Sequence, residues 1–221
     1  MSPGRRLAVG VTMLVVVFGG LLFGAAGRVD VLAFYVYVAL WAAQMTTTYL
    51  VAARRHPDLI EERARPPSDR DRATRLVSAL PAVAHLVLAG LDVRYGWSAV
   101  PLWLQLVAFG GMSVGLGFVT WTLVTNRWAS TAVRIQRDRG QTVITHGPYA
   151  IVRHPMYLGV FLVAVFAGLA LGSWWSALAL AVLIPIFARR TVAEDRMLHE
   201  ELDGYRDYAR RVRWKVVPFV F

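Results

Sequence analysis

The sequence has 221 residues, of which 57% are hydrophobic and 17% are charged. The hydrophobic fraction exceeds the roughly 45–50% that is usual for soluble globular proteins, which indicates an integral membrane protein. Because the chain contains no cysteine, disulfides and thiol-ligated zinc or iron–sulfur sites are excluded. The net charge of +10 raises the possibility of nucleic-acid binding, which the distribution of the charges argues against.

Four long apolar runs predict membrane-spanning helices: Leu7–Ala26, Val31–Ala53, Leu76–Leu91 and Ala99–Thr125. A span needs about 20 mostly apolar residues, so three runs are long enough and Leu76–Leu91 lies at the lower limit. The first run follows two arginines, as a signal peptide would, but it lacks a convincing cleavage site and further spans follow it. We therefore interpret Leu7–Ala26 as a retained first span.

The C-terminal third contains a fifth apolar run, Pro155–Ala188, which is too long for a single span. It is interrupted at 172–175 by Gly-Ser-Trp-Trp, which predicts a helical hairpin with interfacial tryptophans at its tip. Arg189–Phe221 then begins as an amphipathic helix that lies against the membrane surface or the core. Its apolar stripe consists of Leu198, Leu202, Tyr205, Ala209 and Val212.

The basic residues sort to one side of these predicted spans. Of the 24 lysines and arginines, all but Arg28 and Arg94 fall in segments on the same face, which the positive-inside rule assigns to the cytoplasm. The charge is therefore a topology signal, and we expect no nucleic-acid partner. The prediction is an all-α, polytopic membrane bundle with five to six transmembrane segments and both termini cytoplasmic. The sequence does not indicate an oligomeric state.

Polar and small residues inside the predicted spans have simple structural interpretations. His85 is alone in the third span, and intramembrane polar groups are candidates for function. Without a partner nearby in sequence, we interpret it as an interhelical hydrogen-bonding residue. Gly111 and Gly115 form a small-xxx-small pattern, which is typical of close helix packing rather than of a nucleotide-binding loop.

The segment Gly147–Gly159 concentrates helix breakers and charged residues at the membrane boundary. Pro155 suits the first turn of a helix and keeps the preceding residue out of the helical conformation. Arg153 and His154 are therefore expected at a helix N-terminus, beside free backbone N–H groups that attract an anion. The turn at 147–149 would bring Tyr149 near them. The alternative is an interfacial helix cap with a snorkelling arginine.

An acidic residue is expected to join this cluster from the far arm of the hairpin. Arg190 and Glu194 are four residues apart, so they share one face of a helix, and the hairpin returns them close to His154. The sequence then predicts one pocket with an anion site, a carboxylate and two aromatic rings. An exposed salt bridge between Arg190 and Glu194 is the simpler alternative.

These residues resemble a known family. The combination of Gly-Pro-Tyr at 147–149, Arg-His-Pro-Met-Tyr-Leu-Gly at 153–159 and the acidic pair at 194–195 is similar to the isoprenylcysteine carboxyl methyltransferases. That family belongs to a wider group of membrane methyltransferases, which also includes phospholipid N-methyltransferases and thiol S-methyltransferases. The resemblance covers roughly the last hundred residues, and similar strings occur in membrane sterol reductases.

The resemblance implies S-adenosylmethionine as cofactor and assigns residues to its site. Those that match the family's cofactor-binding positions are Gln136, Gln141, Thr142, Val143, Ile144, Tyr149, His154, Pro155, Met156, Tyr157 and Glu194. Arg190 matches an arginine near the methyl-accepting group, and Arg190, Glu194 and Arg153 are the candidate catalytic residues. No metal ligands are implied. The sequence departs from the family at Asp195, where a glutamate is usual.

The functional prediction is therefore a membrane methyltransferase acting on a lipophilic, membrane-resident acceptor, with a carboxylate as the first choice. A phospholipid amine, a small thiol, an NADPH-dependent sterol-type reductase and a non-catalytic scaffold remain as alternatives. Residues 1–125 are predicted to form the N-terminal transmembrane helices, with a cytoplasmic linker at 54–75. Residues 126–221 are predicted to form one catalytic domain, which contains the cofactor loop, the hairpin and the C-terminal helix.

Overall fold

A computed structural model describes residues 2–63, 69–130 and 134–221, and the secondary structure of these residues is entirely helical. The α-helices are α1 (Pro3–Ala26), α2 (Leu32–Arg55), α3 (Pro57–Arg63), α4 (Asp69–Tyr95), α5 (Leu102–Thr125), α6 (Pro155–Ala170), α7 (Trp174–Ala181), α8 (Leu183–Glu201) and α9 (Tyr205–Arg211). Two short 3₁₀ turns, Arg137–Arg139 and Gly147–Ala150, lie between α5 and α6. The all-α prediction is confirmed.

Among the described residues, five helical segments are long and apolar enough to cross a membrane: Gly4–Ala26, Leu32–Arg55, Arg72–Tyr95, Leu102–Thr125 and Trp174–Glu201. The third span is longer than its apolar run predicted, because the helix continues through the polar residues that precede the run. Helix α6 has 16 residues and is about 24 Å long at 1.5 Å per residue. It is therefore shorter than the roughly 30 Å hydrocarbon core of a bilayer.

The predicted hairpin is present, but its second arm is interrupted at Val182. Its tip turns at Gly172, where φ is +82°, and the Ser173 side chain accepts a hydrogen bond from the Ser176 N–H at the start of α7. The second arm breaks between α7 and α8. Pro185 explains this break, because proline lacks the N–H that would bond to the carbonyl four residues earlier and its ring clashes with that carbonyl.

The predicted amphipathic helix after residue 189 is present as the last part of α8, but the apolar stripe from Leu198 to Val212 extends beyond the end of that helix. Helix α8 runs without interruption from the membrane to Glu201, and the chain then turns before α9 begins. The turn contains Gly204, whose φ of +79° lies in the left-handed region that favours glycine. Because of this turn, α9 leaves the line of α8 and buries Tyr205 and Tyr208.

Small residues bring α5 and α6 into backbone contact, as the glycine pattern predicted. A Cβ atom added to Gly115 would lie 2.8 Å from the carbonyl oxygen of Gly159, and one added to Gly159 would lie 2.6 Å from the carbonyl oxygen of Gly115. The two helices therefore pack too closely for larger side chains. This contact fixes α6, whose first residues belong to the candidate site.

Hydrogen bonds between helices satisfy His85, which confirms its structural interpretation. The Tyr37 hydroxyl lies 3.0 Å from His85 Nε2, and the Ser176 hydroxyl lies 2.6 Å from His85 Nδ1. Nearby, Asp92 accepts hydrogen bonds from the hydroxyls of Ser98 and Ser173. These contacts join α2, α4 and α7 at the hairpin tip, at the far end of α6 from the candidate site.

Part of the segment predicted as a linker is a packed helix. Within 54–75, α3 places Leu59 in a fully buried position and also buries Glu62. The Pro-Pro break at 66–67 lies outside the described residues.

Candidate active site

A cavity of about 540 Å³ lies where α3, α4, α6, α8 and α9 meet the segment between α5 and α6. Its volume is within the roughly 300–1,000 Å³ that is typical of small-molecule sites. The predicted site residues that line it are Gln141, Thr142, Val143, Ile144, Tyr149, Arg153, His154, Met156, Tyr157, Arg190 and Glu194. One cavity therefore collects residues from the loop, the start of the hairpin and its return arm.

Two predicted residues, Gln136 and Pro155, are not among the described residues that line the cavity. Gln136 is buried, and its side-chain amide donates to the carbonyl of Trp128 over 2.7 Å. Its backbone N–H donates to the side-chain oxygen of Gln141 over 2.7 Å. Gln136 thus supports two lining residues from behind. Pro155 is the buried first residue of α6.

The turn before α6 holds Tyr149 at the cavity wall. Gly147 has a φ of +61°, and a Cβ atom there would lie 3.0 Å from the Thr125 side chain, so the turn requires glycine. The Asn126 side chain donates to the Tyr149 hydroxyl over 2.7 Å, and the Tyr208 hydroxyl donates to the Tyr149 carbonyl over 2.8 Å. Burial raises the pKa of Tyr149, so its side chain is a neutral phenol at physiological pH.

Asp195 is the centre of a buried hydrogen-bond cluster. Arg153 donates to it twice, from Nε over 3.0 Å and from Nη2 over 3.1 Å. Asp195 Oδ1 also lies 3.1 Å from His154 Nε2 and accepts from the Tyr205 hydroxyl over 2.8 Å. Both charged side chains of the ion pair are only 8% exposed. The bidentate geometry fixes their orientation.

The C-terminal segment completes this cluster from the other side. Arg153 Nη1 donates to the carbonyls of Val212 and Arg213 over 3.1 and 3.0 Å. The backbone N–H groups of Arg153 and His154 donate to the carbonyls of Trp214 and Lys215 over 2.9 and 2.8 Å. These two N–H groups precede the first turn of α6 and are not available to an anion, because a distant part of the chain supplies their acceptors.

A second chain of hydrogen bonds joins α6 to α8 at the cavity wall. Arg190 Nε donates to the Tyr157 hydroxyl over 3.1 Å, and this hydroxyl donates to Glu194 Oε2 over 2.7 Å. All three side chains line the cavity. A cation, a phenol and a carboxylate thus meet at the point where the hairpin arms converge.

The cavity combines positive charge with an apolar wall. Its charged lining residues are Arg63, Arg134, Arg153, Arg190 and Glu194. Four of these five side chains are cationic, although Arg153 and Arg134 are already paired with carboxylates behind the cavity wall. Its apolar lining includes Ala79, Val160 and Phe187 from three helices of the bundle. The site therefore suits a ligand with both charged and lipophilic parts.

Sequence reasoning missed several residues that shape this site. It considered Asp195 only as the second member of an acidic pair and did not consider Trp128 at all. Trp128 is buried at the cavity, and its indole Nε1 has no hydrogen-bond partner among the described residues. The acidic pair followed by Tyr205 was the available signal for Asp195, whereas nothing local marks Trp128.

Fold and site together define a polytopic membrane protein with a charged, partly apolar cavity at one end of its helices. Comparison with known proteins identifies its family. Residues 103–203 match the model of the phospholipid methyltransferase family. Protein-S-isoprenylcysteine O-methyltransferase B from Arabidopsis thaliana is 30% identical over 147 residues, which cover 66% of this chain and 72% of the relative.

Two further relatives match shorter regions. Protein-S-isoprenylcysteine O-methyltransferase from Schizosaccharomyces pombe is 34% identical over 85 residues, covering 38% of this chain and 36% of the relative. The nickel-cobalt-cadmium resistance protein NccN from Alcaligenes xylosoxydans is 33% identical over 104 residues, covering 45% of this chain and 46% of the relative. The chain thus spans less than half the length of these two relatives.

The chain belongs to the isoprenylcysteine carboxyl methyltransferase family. It is a multi-pass membrane methyltransferase, and the family implies S-adenosylmethionine as the methyl donor. The resemblance found in the sequence is confirmed.

Proposed function

We propose that the protein transfers a methyl group from S-adenosylmethionine to the carboxylate of a lipophilic acceptor, and that the reaction takes place in the cavity described above. The observation that carries this proposal is the hydrogen-bonded chain from Arg190 through Tyr157 to Glu194 on the cavity wall. It offers a cation to an anionic acceptor and a carboxylate to a cationic ligand group. The similarity to isoprenylcysteine methyltransferases supports this acceptor class.

The chemistry of the lining residues fits the methyl donor. When bound, S-adenosylmethionine supplies a methyl group on a sulfonium. Glu194 is assigned to the ammonium or the ribose hydroxyls, and the rings of Tyr149 and Tyr157 to the sulfonium through cation–π attraction. The segment 141–144 supplies peptide groups and polar side chains for the adenosyl part. Trp128 adds a buried N–H that has no partner among the described residues.

Arg190 is assigned to the acceptor. A carboxylate is already ionised near neutral pH, so its methylation needs no general base. What it needs is orientation in line with the methyl group and exclusion of water. The guanidinium of Arg190 can orient the acceptor carboxylate by charge-assisted hydrogen bonds. Its Nε already donates to the Tyr157 hydroxyl, which fixes the plane of the group.

Arg153, His154 and Pro155 are assigned to positioning. The four hydrogen bonds of Arg153 to Asp195 and to the C-terminal carbonyls hold the start of α6. This start carries Met156 and Tyr157, which line the cavity. Arg153 then acts through the residues that follow it rather than by touching the methyl donor. Gln136 acts in the same way on Gln141 through the backbone hydrogen bond between them.

A membrane orientation follows from the charge distribution. The cavity lies at the end of the spans to which the sequence assigns all but two of its 24 basic residues, and the positive-inside rule assigns that side to the cytoplasm. Both termini are assigned to the same side. A soluble methyl donor would then enter from the cytoplasm, and a lipid-anchored acceptor would present its carboxylate at the membrane boundary.

An amine acceptor is the second candidate, because residues 103–203 match the phospholipid methyltransferase family. Methylation of an ammonium headgroup requires loss of a proton, unlike methylation of a carboxylate. Glu194 or His154 would have to accept that proton.

The test is transfer of labelled methyl groups by the purified protein in lipid vesicles. A prenylcysteine, an amine phospholipid and a small thiol serve as parallel acceptors. A methyl ester releases its label in mild alkali, whereas N-methyl and S-methyl products retain it. We expect alkali-labile product from the prenylcysteine, strongly reduced in Arg190→Ala but not in Arg189→Ala, the exposed neighbour on the same helix. An alkali-stable product would contradict the carboxylate assignment.

A further inference from the structure

Helix α3 contributes to the cavity although it lies outside residues 103–203, the region that matches the family model. Its last residue, Arg63, lines the cavity and donates from Nη1 to the carbonyl of Ala129 over 2.9 Å. Ala129 belongs to the segment 126–130, which lines the same cavity. We call the contacts of α3 with residues 127–130 and 134–139 the α3 clasp.

Asp58 holds two arginines of the loop at once. Its Oδ2 accepts from Arg127 Nη2 over 2.7 Å and from Arg139 Nη2 over 2.5 Å. Burial disfavours ionisation, but the hydrogen bonds from these arginines outweigh it and lower the pKa of Asp58 to about 2. Asp58 is therefore an anion at every physiological pH, and it bridges residues at both ends of the loop.

Glu62 makes the second connection. Its side chain is 2% exposed, and its Oε1 accepts from Arg134 Nη2 over 2.8 Å. Arg134 also bonds to Asp138 over 2.8 Å and lines the cavity. A buried carboxylate on α3 thus orients a guanidinium that forms part of the cavity wall.

The two arginines that bond to Asp58 also contact residues of the candidate site. The guanidinium carbons of Arg127 and Arg139 lie 4.9 and 5.1 Å from the centre of the Trp128 ring. Arg139 also donates to the side-chain oxygen of Gln136. A connected path therefore runs from Asp58 through two arginines to Trp128 and to Gln136.

We propose that Asp58 and Glu62 are positioning residues that set the affinity for the methyl donor by holding residues 127–130 and 134–139 in their binding conformation. This inference rests on the proposed function, which assigns the methyl donor to this cavity. A loop that is ordered only on binding costs conformational entropy, and a preordered loop lowers that cost. Isolated surface salt bridges contribute about 0–1 kcal/mol, but here several ion pairs form a network and one carboxylate is buried.

The experiment compares Asp58→Asn, Glu62→Gln and the double variant with wild type and with Asp30→Asn. Asp30 is a matched control because it pairs with Arg28 over 2.6 Å in the loop between α1 and α2, away from the cavity. Calorimetry measures the dissociation constant of S-adenosylhomocysteine for detergent-solubilised protein. We expect the double variant to bind about tenfold more weakly, which corresponds to ~1.4 kcal/mol. Asp30→Asn should bind as wild type does.

Kinetic measurements separate positioning from general stability. In the single variants, the KM for the methyl donor should rise while kcat and the KM for the acceptor stay near wild type. Glu62→Asp, which keeps the carboxylate, should retain most of the affinity lost in Glu62→Gln. If the double variant does not fold, the same measurements are made on Asp58→Asn alone. The Asp58 side chain is 33% exposed, so this single substitution should leave the fold intact.

The outcomes distinguish the clasp from the function on which it rests. Variants that melt at lower temperature but bind S-adenosylhomocysteine as wild type does would overturn the clasp and leave the proposed function standing. Wild-type protein that does not bind S-adenosylhomocysteine would overturn the proposed function and the clasp with it.

Discussion

Neutralising Asp195 should destabilise the protein strongly, because this buried carboxylate accepts two hydrogen bonds from Arg153 and one from Tyr205. Asparagine has nearly the same size as aspartate and keeps one acceptor oxygen, so Asp195→Asn removes the charge without opening a cavity. The guanidinium of Arg153, 8% exposed, would then keep only the two C-terminal carbonyls and one amide oxygen. Breaking a buried ion pair by removing one partner costs about 3–5 kcal/mol.

We expect the lower end of that range, about 3 kcal/mol, because the remaining acceptors still bind Arg153. For a chain of this length, this corresponds to a decrease in Tm of about 6–12 °C. Thermal unfolding in detergent, followed by circular dichroism, measures the effect. Asp203→Asn is the matched control, since Asp203 is exposed in the turn after α8, and its Tm should stay near that of wild type.

A double-mutant cycle tests whether loss of the ion pair between Arg153 and Asp195 causes this destabilisation. Arg153→Met should lower the stability strongly in the wild-type background, where it leaves the Asp195 carboxylate without its partner. In the Asp195→Asn background it should lower the stability much less, because that carboxylate charge is already absent. Equal costs in the two backgrounds would mean that the pair does not interact as described. A Tm of Asp195→Asn equal to that of Asp203→Asn would refute the argument from burial.

Three further predictions follow from contacts of single residues. Gly159→Ala places a Cβ atom 2.6 Å from the carbonyl oxygen of Gly115 and should cost about 1–3 kcal/mol by overpacking. In the control Gly117→Ala, the added Cβ atom meets nothing within 4 Å, so the Tm should not fall. Tyr157→Phe removes a hydroxyl that bonds to two charged groups and should lower kcat/KM about 10–100-fold; initial rates within twofold of wild type would contradict the assigned role. The folded-state pKa of Asp58, about 2, is below its unfolded value of roughly 4. The contribution of this carboxylate to stability is therefore present above pH 4 and lost as the pH falls toward 2. The difference in Tm between wild type and Asp58→Asn should disappear over that range.

The parts of the fold that could be predicted depend on local or periodic signals. Uninterrupted apolar runs marked the long helices, and Gly172 with the tryptophans after it marked the hairpin tip. Pro155 marked the start of α6, because proline acts on its own residue and its immediate neighbours. Pro185 was an equally local signal for the break between α7 and α8, but the apolar residues around it made the segment look like one continuous helix.

The parts that could not be predicted depend on contacts between distant residues. The carbonyls of Trp214 and Lys215 bond to the N–H groups of Arg153 and His154, some sixty residues earlier in the chain. No periodicity or turn residue announces such a pairing. The α3 clasp is similar, since Asp58 and Arg127 are 69 residues apart and look like ordinary solvated charges in the sequence.

The adjacent acids Glu194 and Asp195 show how one helix assigns different roles to neighbouring residues. Successive residues on an α-helix point about 100° apart, so Glu194 faces Tyr157 at the cavity while Asp195 faces Arg153 in the protein interior. The departure from the usual Glu-Glu pair occurs at the interior position. It therefore changes how the chain holds the start of α6 and leaves the cavity-facing carboxylate as the family has it. Any effect of the aspartate on the methyl acceptor must therefore pass through Arg153 and His154, which it holds at the cavity.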